Sequence, residues 1–200
     1  MKLFLTSSGL NDANEKDFLK LLGCDPQGLR VAFIPTATNV EFGKKITEVI
    51  LNILPDWMIQ DISDLKRLGM NIEFINLEDL SEENIVSTFK PFDIIYVYGG
   101  NTFYLMKYAN ESGFKKYIKE IVKDKVYVGV SAGSVIAGQD IEVAQWGKGG
   151  DRNIVDIKDM SGLGLVDFCI IPHYKDQIFN EIETYPYEVR YIKDGEVIII

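Results

Sequence analysis

The stretch that most constrains the fold is residues 126–133, VYVGVSAG. It opens with the β-branched and aromatic residues typical of a strand, and then turns through the pattern Gly-x-Ser-x-Gly centred on Ser131. Small residues and a short apolar run follow. This layout is that of a nucleophile elbow, in which a strand–turn–helix exposes the serine hydroxyl and presents the next amide at a helix N-terminus. The pattern alone allows two interpretations, a catalytic Ser131 and a plain tight turn.

Apolar runs alternate with helical patterns over the first two-thirds of the chain. The predicted strands cover residues 2–5, 30–34, 71–75, 93–98 and 126–130. Several are almost entirely apolar, which is typical of parallel strands covered by helices on both faces. The sequence therefore predicts one α/β domain over residues 1–200, with a mostly parallel sheet that binds ligands at the carboxyl ends of its strands. Apolar residues at helical spacing between 42 and 53 predict one of the covering helices.

The last third of the chain has a different pattern. Residues 168–171 form another apolar run, which leads into a loop that contains His173. At the C-terminus, residues 189–193 and 196–200 flank Asp194-Gly195. An Asp-Gly pair between apolar runs predicts a tight turn, and so we expect a C-terminal β-hairpin.

Bulk composition limits the partners that we expect. The formal net charge is −9 and the sequence pI is about 4.7, which argues against nucleic acid and anionic membranes. No apolar run approaches membrane-spanning length, and the N-terminus is too weakly apolar for a signal peptide. We therefore expect a cytoplasmic protein. One histidine and two separated cysteines, Cys24 and Cys169, argue against a structural zinc site.

A serine nucleophile requires a base, and the base requires a group that orients it. His173 is the single histidine of the chain, and like Ser131 it directly follows a predicted strand. The alternative is a histidine that only fills a loop. The third member should be a carboxylate, and composition alone leaves these candidates open: Asp140, Glu142, Asp151, Asp156 and Asp176.

A glycine-rich loop, Gly99-Gly100-Asn101-Thr102, follows the fourth predicted strand. Glycine lets the backbone approach a reacting carbonyl, so the amide of Gly100 could donate to an oxyanion. The alternative is a glycine turn that closes the strand, with Asn101 shaping the turn. On the functional interpretation, we expect Gly99, Asn101 and Thr102 to contact the substrate.

Three motifs together resemble a known family. YGGNTF at 98–103, GVSAGS at 129–134 and IPHY at 171–174 occur here in the order found in the S51 serine peptidases, which include aspartyl dipeptidase (dipeptidase E) and cyanophycinase. The resemblance spans roughly residues 93–174. It implies a class I glutamine-amidotransferase-like (flavodoxin-like) fold, with serine in place of that superfamily's usual cysteine.

The resemblance also implies site residues. Ser131 matches the nucleophile, His173 matches the base, and Gly100 and Ala132 match the amides that stabilise the oxyanion. The family's acid lies upstream of its histidine, and the segment DRNIVD at 151–156 resembles the one that holds it. Asp151 is therefore the expected third member, with Glu142 in reserve. The implied activity is hydrolysis of small peptides through an acyl-enzyme, which requires neither a metal nor an organic cofactor.

Two departures from the family bear on the substrate. The dipeptidases continue after the histidine with an Arg-rich segment that helps to select an N-terminal aspartate. Residues 174–180 contain no arginine here, and the loop at 138–150 is longer. Both departures argue against a strict Asp-X specificity and leave a different short peptide or an isopeptide open as the substrate. We expect the enzyme to be a monomer or a homodimer.

Three other functions stay open on the sequence. An esterase of the α/β-hydrolase type also shows Gly-x-Ser-x-Gly. A non-catalytic binding module could keep this fold and pocket, and the lack of a carboxylate near His173 Nδ1 would favour it. Glutamine hydrolysis of the amidotransferase type is a weaker candidate function, because that chemistry normally uses a cysteine nucleophile.

Overall fold

The computed structural model describes residues 1–47 and 54–200. Its strands are β1 Lys2–Thr6, β2 Arg30–Ile34, β3 Asn71–Phe74, β4 Ile94–Val97, β5 Val126–Val130, β6 Cys169–Ile171, β7 Val189–Tyr191 and β8 Val197–Ile199. Its α-helices are α1 Glu15–Leu22, α2 Thr36–Phe42, α3 Asp56–Arg67, α4 Ile85–Phe89, α5 Thr102–Glu111, α6 Phe114–Ile121 and α7 Ala132–Ala137. None of the helices in these two ranges is long and apolar enough to cross a membrane.

Six strands form the main sheet, in the order β3-β2-β4-β5-β1-β8. The first five strands of the chain pair in parallel, whereas β8 runs antiparallel to β1 at one edge. Every residue of β4 and of β5 is buried. The predicted α/β fold with a mostly parallel sheet is therefore confirmed.

Helices cover both faces of the sheet, and alternate side chains of each strand enter different cores. In β4, Ile95 and Val97 belong to the core that includes helices α5, α6 and α7. Ile94 and Tyr96 belong to the other core, with α1 and α3. Strands buried on both sides in this way explain why the sequence shows nearly continuous apolar runs.

The predicted C-terminal hairpin is wrong in its pairing, although its turn forms. The amide of Glu196 donates to the carbonyl of Lys193 at 3.0 Å around the Asp194-Gly195 corner. The strands on either side then separate, because β7 pairs in parallel with β6 in a small second sheet, and β8 joins β1. An isolated two-stranded hairpin buries little apolar surface, whereas β8 packs side chains against both cores of the main sheet.

The helix predicted between residues 42 and 53 is also corrected where the chain is described. Helix α2 ends at Phe42, and Gly43 follows in the left-handed conformation. Ile46 is buried outside any helix, because its amide donates to Asn39 Oδ1 at 2.8 Å and its carbonyl accepts from Asn76 Nδ2 at 3.0 Å. Residues 48–53 of that prediction lie outside the described residues.

Candidate active site

Ser131 occupies a sharp turn between β5 and α7. Its backbone has φ 48° and ψ −111°, a conformation that residues other than glycine rarely adopt. Strand β1 holds the turn in place, because Thr6 O accepts from the amide of Ser131 at 3.0 Å and from Ser134 Oγ at 2.8 Å. The helix packs closely on β4, so that a Cβ on Gly133 would lie 2.0 Å from Val97 O. The turn therefore has the strain and the small residues of a nucleophile elbow.

His173 faces Ser131 across a short distance. His173 Nε2 lies 3.1 Å from Ser131 Oγ, within hydrogen-bonding reach. The histidine comes two residues after β6 and has a positive φ of 55°. The amide of His173 donates to Ser7 Oγ at 2.7 Å, which fixes this unusual backbone against the end of β1. The structure thus brings together the two side chains that the sequence singled out.

The carboxylate that contacts His173 is Asp194. Its Oδ1 lies 2.8 Å from His173 Nδ1. Partial burial acts to raise the pKa of Asp194, but hydrogen bonds from Ser7 and His173 outweigh burial and lower the pKa overall. The side chains of His173 and Asp194 are both about half exposed (49% and 52%), so substrate and water can reach this pair.

Strand pairing explains why Asp194 meets His173. Strands β6 and β7 run parallel and therefore end at the same edge, and the two residues lie in the segments that leave that edge. The antiparallel pairing of β8 with β1 sets Val197 opposite Thr6. This register draws the turn that contains Asp194 to the carboxyl end of β1, beside Ser131.

The expectation that Asp151 orients His173 is corrected by these contacts. Asp151 Oδ2 instead accepts from the amide of Thr102 at 2.8 Å, at the first turn of α5, where a carboxylate is electrostatically favoured. Glu142 begins a 3₁₀ turn, and its amide donates to Asp140 Oδ1 at 2.7 Å. Within residues 1–47 and 54–200, neither Asp151 nor Glu142 bonds to His173.

The other carboxylates considered from the sequence also have different partners. Asp140 Oδ1 accepts from the hydroxyl of Tyr185 at 2.7 Å. Asp156 pairs with Lys158, and Asp176 pairs with Lys193 at 2.9 Å. One sequence signal could have identified Asp194: it follows the predicted strand at 189–193, which comes after the strand that leads to His173. The Asp-Gly pair by itself indicates only a turn.

The Gly99-Gly100 loop lies directly against Ser131. A Cβ on Gly99 would lie 3.1 Å from Ser131 Cβ. Gly100 has φ 127°, and a Cβ there would lie 2.4 Å from the carbonyl of Ala37, so only glycine fits. Thr38 Oγ1 donates to Gly99 O at 2.5 Å and ties this loop to α2. The loop is therefore held between α2 and Ser131.

Asn101 and Thr102 both hold the neighbouring loop, and of the two only Thr102 lines a cavity beside Ser131. Asn101 Oδ1 accepts from the amide of Tyr104 at 2.9 Å and caps α5, while its Nδ2 donates to Arg152 O at 3.0 Å. Thr102 is 1% exposed, and its amide donates a hydrogen bond to Asp151 Oδ2. The two residues thus fasten residues 151–152 over the site.

Two cavities open on either side of Ser131 and His173. One has a volume of about 290 Å³, and it is lined by apolar and charged side chains that include Trp146, Lys148 and Asp151. The other has a volume of about 430 Å³, with Glu41, Trp57 and Tyr98 among its walls. The rings of Trp57 and Tyr98 stack at 5.6 Å. Burial, and then the charge of Asp151, raise the pKa of Glu41.

The contacts around His173 also bear on one alternative function. The lack of a carboxylate near His173 Nδ1 would have favoured a non-catalytic module, but Asp194 supplies a carboxylate there. The geometry Ser131–His173–Asp194 has the order of contacts that a serine hydrolase requires. That alternative therefore loses its main support.

Comparisons with known proteins show which family this chain resembles over its length. The sequence profile of peptidase family S51 matches residues 3–200. Uncharacterized peptidase Lin0382 of Listeria innocua is 34% identical over 184 residues, which cover 90% of this chain and 79% of that protein. Peptidase E of Nostoc sp. is 30% identical over 154 residues, or 74% of this chain and 54% of that protein.

A solved structure extends the likeness to the whole fold. A protein from Listeria monocytogenes EGD-e superposes with a TM-score of 0.78 at 32% identity, and the match covers 100% of this chain and 93% of the other. The profile match and this superposition each cover nearly the full length described here. The chain therefore belongs to peptidase family S51 and is a serine-type peptidase.

Proposed function

We propose that this peptidase hydrolyses short peptides through an acyl-enzyme, with Ser131 as nucleophile, His173 as general base and Asp194 as the orienting carboxylate. The observation that carries the proposal is the pair of contacts on the two ring nitrogens of His173. Nε2 lies 3.1 Å from Ser131 Oγ, and Nδ1 lies 2.8 Å from Asp194 Oδ1. One nitrogen thus faces the proton to be removed, and the other faces the charge that stabilises an imidazolium.

The reaction follows from these contacts. Ser131 Oγ attacks the scissile carbonyl while His173 Nε2 takes the hydroxyl proton, and Asp194 stabilises the imidazolium. His173 then gives that proton to the leaving amine as the C–N bond breaks. A water molecule, deprotonated by His173, attacks the acyl-enzyme and releases the acid and the free serine.

The amides of Gly100 and Ala132 are the proposed donors to the oxyanion. In the part of the chain that the structure describes, neither amide donates a hydrogen bond to another residue. Ala132 begins α7 directly after Ser131, and Gly100 belongs to the loop that abuts Ser131. Fixed donors of this kind stabilise the charge that develops in the tetrahedral intermediate.

Two features support a short peptide as the substrate. Cavities for drug-sized ligands measure roughly 300–1,000 Å³, so each cavity beside Ser131 holds on the order of one or two residues. Their charges also differ, since one contains Glu41 beside two aromatic rings and the other contains Lys148 and Lys175 together with Asp151. A short peptide has an ammonium group and a carboxylate close to its scissile bond, and the two cavities offer partners to both charges.

The test is a panel of dipeptides and tripeptides with free or acetylated N-termini, together with a p-nitrophenyl ester. We expect wild type to cleave free short peptides, and Ser131→Ala and Asp194→Asn to lose that activity. Acetylation should lower kcat/KM, because it removes the ammonium group. Cleavage by Ser131→Ala at the wild-type rate would contradict the proposal, and an ester turned over faster than every peptide would favour an esterase.

A further inference from the structure

Ser7 makes more contacts with the proposed catalytic groups than its place at the end of β1 requires. The residue is fully buried. Its Oγ accepts from the amide of His173 at 2.7 Å and donates to Asp194 Oδ1 at 2.7 Å. The same oxygen lies 3.1 Å from His173 Nδ1. One hydroxyl therefore bridges the backbone of the base and the carboxylate that orients its ring.

The number of available protons determines how these groups can bond. An ionised carboxylate only accepts hydrogen bonds, so the single proton of Ser7 Oγ is directed to Asp194. Ser7 then has no proton to give to His173 Nδ1. Among the described residues, the ring nitrogen faces acceptors alone at this end, namely Ser7 Oγ and Asp194 Oδ1, and it must carry its own proton. A neutral imidazole with a proton on Nδ1 leaves the lone pair on Nε2, where it faces Ser131 Oγ.

We propose that Ser7 is a positioning residue that selects the Nδ1–H tautomer of His173 and holds Asp194 in its ionised state. The inference rests on the proposed roles of His173 and Asp194. Without the hydroxyl, Asp194 loses a donor and the amide of His173 loses its acceptor, so both the ring and the loop gain freedom. A base in the other tautomer has no lone pair toward Ser131 and cannot take its proton.

The neighbouring serine provides a matched control. Ser8 is exposed, and its Oγ accepts from the amide of Gly195 at 3.3 Å, in the same turn that contains Asp194. It therefore contacts the turn, as Ser7 does, but none of its hydrogen bonds in the described residues reaches the imidazole or the carboxylate. Loss of Ser8 removes one 3.3 Å contact with a turn that the β8–β1 pairing still holds, whereas loss of Ser7 changes the hydrogen bonding of the base.

The test uses nuclear magnetic resonance of isotope-labelled imidazole nitrogens, at a pH where the ring is neutral. His173 is the single histidine, so its two nitrogen signals need no further assignment to a residue. We expect Nδ1 in the protonated form and Nε2 in the unprotonated form in wild type and in Ser8→Ala. In Ser7→Ala, we expect signals averaged toward the other tautomer.

Kinetics complete the test. Ser7→Ala should lower kcat on the order of 10- to 100-fold with little change in KM, as expected for loss of an outer hydrogen bond to a working group. Ser7→Thr, which retains a hydroxyl, should recover part of kcat and the wild-type tautomer, whereas Ser8→Ala should retain both.

Two results would overturn the inference. One is a wild-type ring protonated on Nε2, a reading that needs no variant and so does not depend on whether Ser7→Ala folds. The other is a folded Ser7→Ala with the wild-type tautomer and the wild-type kcat. Failure of the proposed function is a separate outcome, because it would leave Ser131→Ala active whatever tautomer the ring adopts.

Discussion

His173 Nδ1 lies 2.8 Å from Asp194 Oδ1, although 21 positions of the chain separate the two residues. Two pairings bring them together. Strands β6 and β7 are parallel neighbours, and β8 is held against β1. The C-terminal strands therefore help to position His173, the proposed base, as well as extending the sheet.

Asp194→Asn should lower kcat on the order of 10²- to 10⁴-fold, because an amide can donate to His173 and stabilise the wrong tautomer. Asp151→Asn is the matched control, since an amide oxygen can still accept from Thr102 N. Its kcat should fall far less, although KM can change because Asp151 lines a cavity at the site. Steady-state kinetics on one peptide would compare them. A larger loss of kcat in Asp151→Asn would return the orienting role to Asp151.

The pairing of β8 can be tested with proline at two adjacent positions. Leu3 and Ile200 exchange hydrogen bonds in both directions, so alternation along the antiparallel pair makes Leu5 and Ile198 the next bonded pair. Ile198→Pro removes a donor to β1, whereas the amide of Ile199 points away from β1 at the open edge.

We expect Ile198→Pro to lose most peptidase activity and Ile199→Pro to retain it. The physical reason is that the first variant frees the turn containing Asp194 from the end of β1, while the second leaves the β1 ladder intact. Activity would be measured beside thermal unfolding of both variants. Equal activity in two folded variants would show that β8 pairing does not position the acid.

Gly99→Ala should disturb Ser131 without unfolding the protein. The added Cβ would lie 3.1 Å from Ser131 Cβ, which forces a shift of a few tenths of an ångström. Because misplacement of a reacting group by about 1 Å can cost on the order of 10²-fold in rate, we expect a smaller but measurable fall in kcat/KM. Circular dichroism would check the fold. An unchanged kcat/KM would mean that this loop does not bear on the nucleophile.

The raised pKa of the buried Asp61 makes the stability of the protein depend on pH. Burial raises its pKa to about 7 from an ordinary 3.8, although the amide of Leu10, which donates to Asp61 Oδ1, and the nearby hydroxyls of Tyr96 and Tyr98 oppose this rise. The folded protein therefore keeps a proton that the unfolded chain releases. The contribution of Asp61 to stability is complete below about pH 4 and is lost as pH rises toward 7.

Asp61→Asn removes this loss, because a neutral amide needs no proton, and its oxygen can still accept from Leu10 N at the 2.7 Å contact. We expect the variant to exceed wild type in unfolding free energy at pH 8, on the order of a few kcal/mol, and to approach wild type at pH 4. Urea unfolding at both values measures this. A difference that does not change with pH would contradict the assignment of a raised pKa to Asp61.

Features set by local sequence could be predicted. The apolar run at 30–34 corresponds to β2 Arg30–Ile34, because five consecutive apolar or amphipathic residues suit a strand buried on both faces. The turn at Ser131 could also be predicted, because its flanking glycines are required by close backbone contacts at the turn, where a Cβ would clash. The single histidine left no choice of base for such a serine.

The acid could not be predicted, because its identity depends on the pairing of strands far apart in the chain. Asp194-Gly195 has the local signature of a hairpin turn, and a turn does form there. Nothing near it in the sequence specifies that β7 pairs with β6 while β8 pairs with β1. The bonds of Ser7 to His173 and Asp194 depend on the same register, in which Thr6 lies opposite Val197.

The most direct test of the central claim is the intact mass of the protein after exposure to a fluorophosphonate probe. The probe reacts with a serine whose hydroxyl is activated by a base. The account predicts one adduct on wild type, and none on Ser131→Ala or His173→Ala over the same time. An adduct of equal yield on Ser131→Ala, or no adduct on folded wild type, would contradict the claim that Ser131 is a nucleophile activated by His173.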